Sequence, residues 1–253
     1  MSEGMVSIEY FGGAAFKVTT AKGTKILIDP FIKNNPLCPQ ECEYFYDTDL
    51  VLVTHGAYDH RGDSVEIMNN SQAVMICGHD VAHHAMTLKV PKERIRTTIY
   101  GDQKEFSGIK VKTVFVQHIS RVVSDSGELL AQGVPLGFII STEDGIRIFH
   151  PGDTSIHGDL NQIGMLYKPN VMMVGVGSVK EGTAVEMDVR DAAFATLMVG
   201  PDVVFPMHYP PGSNSPAEFV QALKIIAPNI QAMALPPGGQ ITYCKYQLKQ
   251  NGH

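Results

Sequence analysis

The sequence has no dense cluster of lysine and arginine, no run of charges of one sign and no long apolar run. Its formal net charge is −6, so its electrostatics do not favour the polyanionic backbone of a nucleic acid as a ligand. No segment approaches the roughly 20 consecutive apolar residues of a transmembrane helix. The first four residues form no basic segment followed by an apolar run, as a signal peptide would have. We therefore predict a cytoplasmic protein that binds neither nucleic acid nor a membrane.

The chain has only four cysteines among 253 residues, which is too few for a disulfide scaffold. Cys77 and Cys244 lie in apolar, strand-like runs, where a thiol behaves as a small hydrophobic side chain, so we expect them to be reduced and buried. Cys38 and Cys42 are spaced as in a metal knuckle, but no second cysteine or histidine pair lies near enough to complete one. We interpret them as two loop thiols.

The chain also lacks linkers. No stretch rich in serine or proline interrupts it, and 253 residues are enough to bury a large core. We therefore predict one domain that spans residues 1–253.

The hydrophobic pattern predicts strands first and then alternating helices and strands, in an order that recurs in the second half of the chain. Strands such as residues 171–174 are apolar on both faces, so each sheet needs a second sheet on one side and helices on the other. This predicts an α+β protein with two mixed sheets flanked by helices, a four-layer αββα sandwich. The predicted strands are residues 7–11, 14–20, 25–29, 49–54, 73–77, 109–117, 136–142, 146–149, 171–176 and 203–206, and the predicted helices are residues 63–70, 80–89, 159–167, 188–199 and 216–226.

Residues 52–63, with the sequence LVTHGAYDHRGD, form the most informative segment. An apolar strand runs there into a loop that contains His55, Asp59 and His60. Neighbouring Asp and His side chains on a turn after a strand can converge from one rigid edge, and a carboxylate beside imidazoles suits Zn, Mn or Fe. The segment therefore predicts a metal site.

Three more ligand side chains follow apolar strands: His118, Asp153 and His208. A metal site needs its ligands within about 0.2 Å of their bond lengths, and the ends of strands in a rigid sheet supply such placement better than scattered surface residues do. A lone histidine is more often a surface or core residue. The ordered recurrence of ligand side chains after strands favours a shared metal site.

Residues 55–60 resemble the His-x-His-x-Asp-His signature of the metallo-β-lactamase superfamily, with Ala57 in place of the second His. The similarity extends over nearly the whole chain and looks like the branch that contains ascorbate-6-phosphate lactonase and many metal-dependent hydrolases. The resemblance implies the metallo-β-lactamase fold, which is also an αββα sandwich. The blocks that resemble this branch are residues 11–16, 26–31, 150–159, 167–169 and 206–209.

By this resemblance, the ligands divide into two sites that share a carboxylate. A methyl group cannot coordinate, so Ala57 leaves the first site one ligand short. We predict one Zn or Mn ion in the second site together with the shared carboxylate, and a second ion that binds weakly or not at all; affinity order alone favours Zn. The resemblance assigns His55 and His118 to the first site, Asp59, His60 and His208 to the second, and Asp153 to both.

The leading hypothesis is hydrolysis by a metal-activated water, because coordination can lower the pKa of water from about 15.7 to about 7. In this hypothesis Asp59 and Asp153 orient the water or accept its proton. His118, with His55, hydrogen-bonds the oxyanion or assists proton transfer. The resemblance favours a small lactone, ester or phosphoester as the substrate.

The alternative is a protein of the same fold that binds metal and senses a ligand without turnover, as Ala57 suggests. A phosphodiesterase or nuclease is less favoured, because the sequence shows neither a basic groove nor an added substrate-binding arm. A homo-oligomer is expected, because oligomers are frequent among soluble proteins and because the resemblance implies one.

Three further residues have two interpretations each. Tyr58 either replaces the absent ligand or packs at the mouth of the site. His157 either contacts the substrate or metal or lies at the surface. Asp29 either accepts the second N–H of a ligating imidazole or is a turn residue before Pro30.

Overall fold

The computed structural model describes residues 4–180 and 185–245. Residues 1–3, part of the segment in which no signal peptide is expected, lie outside the described residues. The strands are β1 Met5–Tyr10, β2 Phe16–Thr19, β3 Lys25–Ile28, β4 Leu50–Val53, β5 Val74–Cys77, β6 Ile95–Thr97, β7 Gln103–Phe106, β8 Ile109–Phe115, β9 Ser120–Val123, β10 Leu129–Gly133, β11 Leu136–Ser141, β12 Arg147–His150, β13 Val171–Gly175, β14 Val203–Met207, β15 Gln231–Ala232 and β16 Gln240–Cys244. The α-helices are α1 Tyr58–Arg61, α2 Ser64–Asn70, α3 His79–Thr87, α4 Asp159–Tyr167, α5 Val189–Val199 and α6 Ser215–Ile226, and short 3-10 helices span Cys42–Phe45 and Lys92–Arg94.

Two seven-stranded sheets form the centre of the fold. The first has the strand order β16-β1-β2-β3-β4-β5-β6, and the second has the order β15-β14-β13-β12-β11-β8-β7. Each is mixed: β1, β2 and β3 are antiparallel while β3 to β6 are parallel, and β8, β11 and β12 are antiparallel while β12 to β15 are parallel. The predicted fold class, a metallo-β-lactamase-type α+β sandwich, is confirmed.

Strand β4 shows how the layers are formed. Leu50 and Leu52 belong to the main core between the sheets, whereas Val51 and Val53 belong to a second core on the other face. Because successive side chains of a strand point to opposite faces, an all-apolar strand must be covered on both sides. Helices α2 and α3 cover the outer face of the first sheet, and α4, α5 and α6 add their buried residues to the main core.

The predicted elements fall within about two residues of the observed ones, but several short elements were missed. Strands β9 and β10 pair with each other in a separate two-stranded sheet. Leu129 and Leu130 of β10 are both exposed, so this strand lacks the alternation that identifies a half-buried strand. The loop predicted after β4 is in part helical, since α1 makes one turn there. Helix α1, with four residues, is too short to show a helical hydrophobic period.

The four cysteines are free thiols, as expected. Cys77 is buried, whereas Cys244 is only partly buried, near the end of an outer strand of the first sheet. Burial raises the pKa of the Cys42 thiol to about 12, so this cysteine is protonated at neutral pH. Within residues 4–180 and 185–245, no helix is both long and apolar enough to cross a membrane.

Gly62 ends α1 in the left-handed region, and its backbone approaches the segment after β3 closely. A Cβ added there would lie 2.6 Å from Phe31 Cα. We expect Gly62→Ala to lower the free energy of unfolding by more than about 2 kcal/mol, because strain and overpacking act together. Gly101→Ala is the matched control, since Gly101 also has positive φ but no atom within 4 Å. Urea denaturation measures both losses, and equal losses would contradict the role of the close approach.

Candidate metal centre

The candidate site lies where the parallel strands of both sheets end. Asp29 follows β3, His55 follows β4 after one residue, and His208 directly follows β14. Asp153 comes three residues after the end of β12. Because parallel strands present their carboxyl ends at one edge of a sheet, each sheet brings its own ligand side chains to that edge.

Helix α1 contributes two further side chains from the first sheet. Its four residues include Asp59 and His60, and both are buried. Ala57 is the extended residue that precedes this helix, so its backbone directs the chain from β4 into the turn. One helical turn therefore replaces the predicted loop and places the adjacent carboxylate and imidazole side by side.

The structure brings together the donor atoms of the predicted second site. His208 Nε2 lies 3.3 Å from Asp59 Oδ2 and 3.4 Å from Asp153 Oδ1. His60 Nε2 lies 3.2 Å from Asp153 Oδ2 and 3.4 Å from His208 Nε2. Four side chains from three distant parts of the sequence therefore point their donor atoms at one small volume.

The hydrogen bonds of the His60 and His208 rings determine which of their nitrogens can bind a cation. His60 Nδ1–H donates to Asp29 Oδ2 at 2.8 Å, and His208 Nδ1–H donates to the Gly177 carbonyl at 3.1 Å. In the neutral rings, both Nε2 atoms therefore carry lone pairs, which face each other at 3.4 Å. Tetrahedral zinc with bonds of about 2.0–2.1 Å holds two nitrogens about 3.4 Å apart. The donor set thus fits a metal ion.

The charges of the cluster favour a cation at this point. Burial lowers the pKa of His60, but Asp153 and Asp29 outweigh it and hold this pKa well above its usual value. Burial also lowers the pKa of His208, yet Asp153 and Asp59 raise it to about 8. Burial raises the pKa of Asp153, but His208 and His60 bring it well below its usual range. Protons and a metal ion therefore compete for the same nitrogen lone pairs.

The residues of the predicted first site also lie together. His118 Nε2 is 3.9 Å from Asp153 Oδ2, and His55 offers a ring nitrogen within 4.8 Å of both side chains. His55 is buried, and its Nε2 has no hydrogen-bond partner among the described residues. Burial lowers the pKa of His55 to about 3, so the ring is neutral and this nitrogen lacks a partner. An unpaired buried nitrogen is costly and is consistent with a ligand role.

Asp29 links the end of β3 to the end of β4 and orients one imidazole. Its Oδ1 accepts the Thr54 backbone N–H at 2.8 Å, and its Oδ2 accepts the Thr54 hydroxyl at 2.7 Å as well as the His60 N–H. Burial raises the pKa of Asp29, but the nearby His60 lowers it by more. The net shift is downward, so the side chain is a carboxylate. Of its two interpretations, the contact to a candidate ligand supports the carboxylate that fixes an imidazole ring.

Three other side chains, Tyr58, His150 and His157, belong to no ligand cluster among the described residues. Tyr58 is 57% exposed and packs the edge of its ring on Phe31, which supports the packing interpretation. His157 packs against Phe115 and belongs to no ligand cluster among the described residues. His150 is fully buried and satisfied, because Nε2–H donates to the Ala14 carbonyl and Nδ1 accepts the Gly152 N–H.

The sequence analysis missed one acidic residue of the site. Glu186 lies in the segment before α5, where it is partly buried, and its Oε1 is 3.7 Å from His118 Nδ1. Its carboxylate also offers an oxygen within 4.8 Å of donor atoms of Asp153 and His208. Glu186 follows no apolar strand directly, so the pattern that identified the other ligands does not include it.

Comparisons with known proteins agree with this geometry. Residues 7–208 match the family model described as the beta-lactamase superfamily domain. A UPF0173 metal-dependent hydrolase of Methanopyrus kandleri is 36% identical over 234 residues, which cover 91% of this chain and 97% of the relative. A UPF0173 metal-dependent hydrolase of Methanobrevibacter smithii is 34% identical over 244 residues, which cover 94% of this chain and 97% of the relative.

A solved structure gives the same result. The metallo hydrolase Igni18 from the archaeon Ignicoccus hospitalis is similar with a TM-score of 0.80 and 30% sequence identity, over 94% of this chain and 98% of that one. The predicted superfamily is thus confirmed, while the lactonase-like branch stays a prediction. The chain belongs to the metallo-β-lactamase superfamily and, within it, to the family of UPF0173 metal-dependent hydrolases.

Proposed function

We propose that this chain hydrolyses a small lactone, ester or phosphoester with a Zn or Mn ion held in the second site. The observation that supports this most is the pair of facing Nε2 atoms of His60 and His208, 3.4 Å apart, with two carboxylates beside them. When bound, the ion supplies a Lewis acid that polarises a carbonyl or phosphoryl oxygen and makes water more acidic. The ligands of this site are Asp59, His60, Asp153 and His208.

The side chains of the centre divide the remaining work. Asp59 and Asp153 are both carboxylates, because histidine partners outweigh burial and lower their pKa, so either can accept the proton of an attacking water. Burial lowers the pKa of His118, which is therefore neutral near pH 7 and has 19% of its side chain exposed. We assign it the hydrogen bond to the developing oxyanion or the transfer of a proton to the leaving group.

We also propose a small substrate, a cytoplasmic location and a homo-oligomeric state. The formal net charge of −6 favours a small substrate over a polyanion such as nucleic acid. Homo-oligomers are frequent among soluble proteins.

Turnover is tested with steady-state assays of the metal-loaded protein on a panel of lactones, esters and phosphoesters. We expect activity on at least one class, and we expect Asp153→Asn to reduce kcat by about 10²- to 10⁴-fold, because it removes a proton acceptor and ligand charge. Asp125→Asn, an exposed position, is the control. If the protein retains metal but shows no turnover that responds to Asp153→Asn, the alternative of a ligand-sensing protein without catalysis replaces our proposal.

The role of Asp29 can be tested by removing its charge alone. Asp29 has φ +45°, and asparagine tolerates this left-handed conformation, so Asp29→Asn should preserve the backbone. We expect the affinity for Zn²⁺ in the second site to fall by about 10- to 100-fold, because the Nδ1–H of His60 loses its charged acceptor. Competition with a chromophoric chelator measures the affinity. An unchanged value would show that Asp29 only shapes the turn before Pro30.

The ligand shortage at Ala57 predicts a gain-of-ligand variant. We expect Ala57→His to raise the metal that remains bound per chain after dialysis and to change the activity, because an imidazole adds a donor to the first site. Elemental analysis of protein purified without added metal gives the starting value. Unchanged metal content in the variant would contradict the assignment of His55 and His118 to a first site.

A further inference from the structure

The first site has three donors where a tetrahedral ion needs four. His55, His118 and Asp153 offer ligand atoms that lie within 4.8 Å of one another, and residue 57 contributes only a methyl group. Water can occupy one position of an ion, but with few protein donors the ion is held weakly. The question is whether another side chain of this chain reaches the site.

Glu186 has the right position and chemistry. Its Oε1 lies 3.7 Å from His118 Nδ1, and one of its oxygens lies within 4.8 Å of a donor atom of Asp153. A carboxylate that shares a partly buried site with Asp153 meets like-charge repulsion unless a cation lies between them. Two carboxylates also balance the two charges of a divalent ion.

A second, independent observation points to a ligand at the same place. His55 Nε2 is buried without a hydrogen-bond partner among the described residues, although the other ring nitrogen contacts the Thr54 hydroxyl at 3.1 Å. His55 and Glu186 both neighbour His118 and Asp153, and Glu186 also lies within 4.8 Å of a donor atom of His208. The unpaired imidazole and the Glu186 carboxylate therefore both lie beside Asp153, the carboxylate that the two sites share.

We propose that Glu186 supplies a carboxylate oxygen to a second metal ion at the first site, in place of the imidazole that residue 57 lacks. The inference rests on the proposed function, because it requires the metal centre. A site of two imidazoles and two carboxylates favours Zn or Mn over the softer ions that prefer sulfur ligands. Since α5 begins three residues after Glu186 and the main core anchors this helix, the carboxylate is held near the centre by a fixed element.

Glu186 has a competing role as an outer partner of His118. In that role its carboxylate accepts the Nδ1–H of the ring and coordinates nothing. The 3.7 Å separation is too long for a hydrogen bond, so the structure does not show this contact. The two roles differ in one measurable respect. If Glu186 is a ligand, the imidazole of Ala57→His takes its position, so this substitution strengthens the second ion more in the Glu186→Gln variant than in the wild type. If Glu186 is an outer partner, Ala57→His strengthens the second ion equally in both.

The test is a titration of metal-free full-length protein with Co²⁺, followed by visible absorption, together with elemental analysis. We expect two Co²⁺ per wild-type chain, a tight one and a weaker one. Loss of even an outer partner costs about 10- to 100-fold in metal affinity, so Glu186→Gln should weaken the second Co²⁺ by at least about 10-fold. The tight first Co²⁺ should remain, which shows that the variant is folded. Glu218→Gln, at an exposed glutamate of α6, is the control for charge.

A double variant decides between the two roles. Ala57→His should strengthen the binding of the second Co²⁺ more in the Glu186→Gln variant than in the wild type, because the new imidazole replaces the lost oxygen. Equal second-site affinity in wild type and Glu186→Gln overturns the inference, and so does an equal gain from Ala57→His in the two proteins. If Co²⁺ binds tightly while only the Glu186 result fails, the proposed function survives; if no ion binds at all, both fail.

Discussion

The buried carboxylate of Asp29 is the interaction on which the rest of the site depends. It joins β3 to the residue after β4 through two hydrogen bonds to Thr54, and it fixes the ring of His60 through a third contact. Because a carboxylate can only accept, the proton on His60 Nδ1 is determined, and in the neutral ring the lone pair of Nε2 faces the centre. One side chain thus couples the first sheet to the tautomer of a ligand.

Each sheet contributes three of the candidate ligands. The first sheet provides His55, and α1 after it provides Asp59 and His60, whereas His118, Asp153 and His208 follow strands of the second sheet. An ion bound by residues of both sheets cross-links the layers at their common edge, in addition to the apolar core between them. Since the ion binds the folded arrangement and not the separate ligands, its affinity adds to the free energy of unfolding through mass action.

Much of this arrangement could be predicted from the sequence, because apolar strands are recognisable by their hydrophobic pattern. Apolar strands followed by ligand side chains identified six of the residues that the structure brings together, which are His55, Asp59, His60, His118, Asp153 and His208. The sequence analysis failed where no such hydrophobic pattern exists. Helix α1 is four residues long, so it has no amphipathic pattern. Glu186 and His118 are far apart in sequence, so no local spacing predicts that they lie close together. Contacts of that kind depend on the tertiary packing of α5.

Two residues of the centre have a strained backbone, which lowers the stability of the fold but places side chains that the site uses. Asp29 and His208 both have positive φ, at 45° and 60°, although neither is glycine. Each is held there by a backbone hydrogen bond to another segment, from Asp29 N–H to the Leu52 carbonyl and from His208 N–H to the Gly13 carbonyl. A left-handed L-residue costs about 1–2 kcal/mol, which a glycine would avoid. Among the five non-glycine residues with positive φ that the structure describes, these are the two whose side chains hold or orient a donor atom of the site, and backbone strain is common at functional sites.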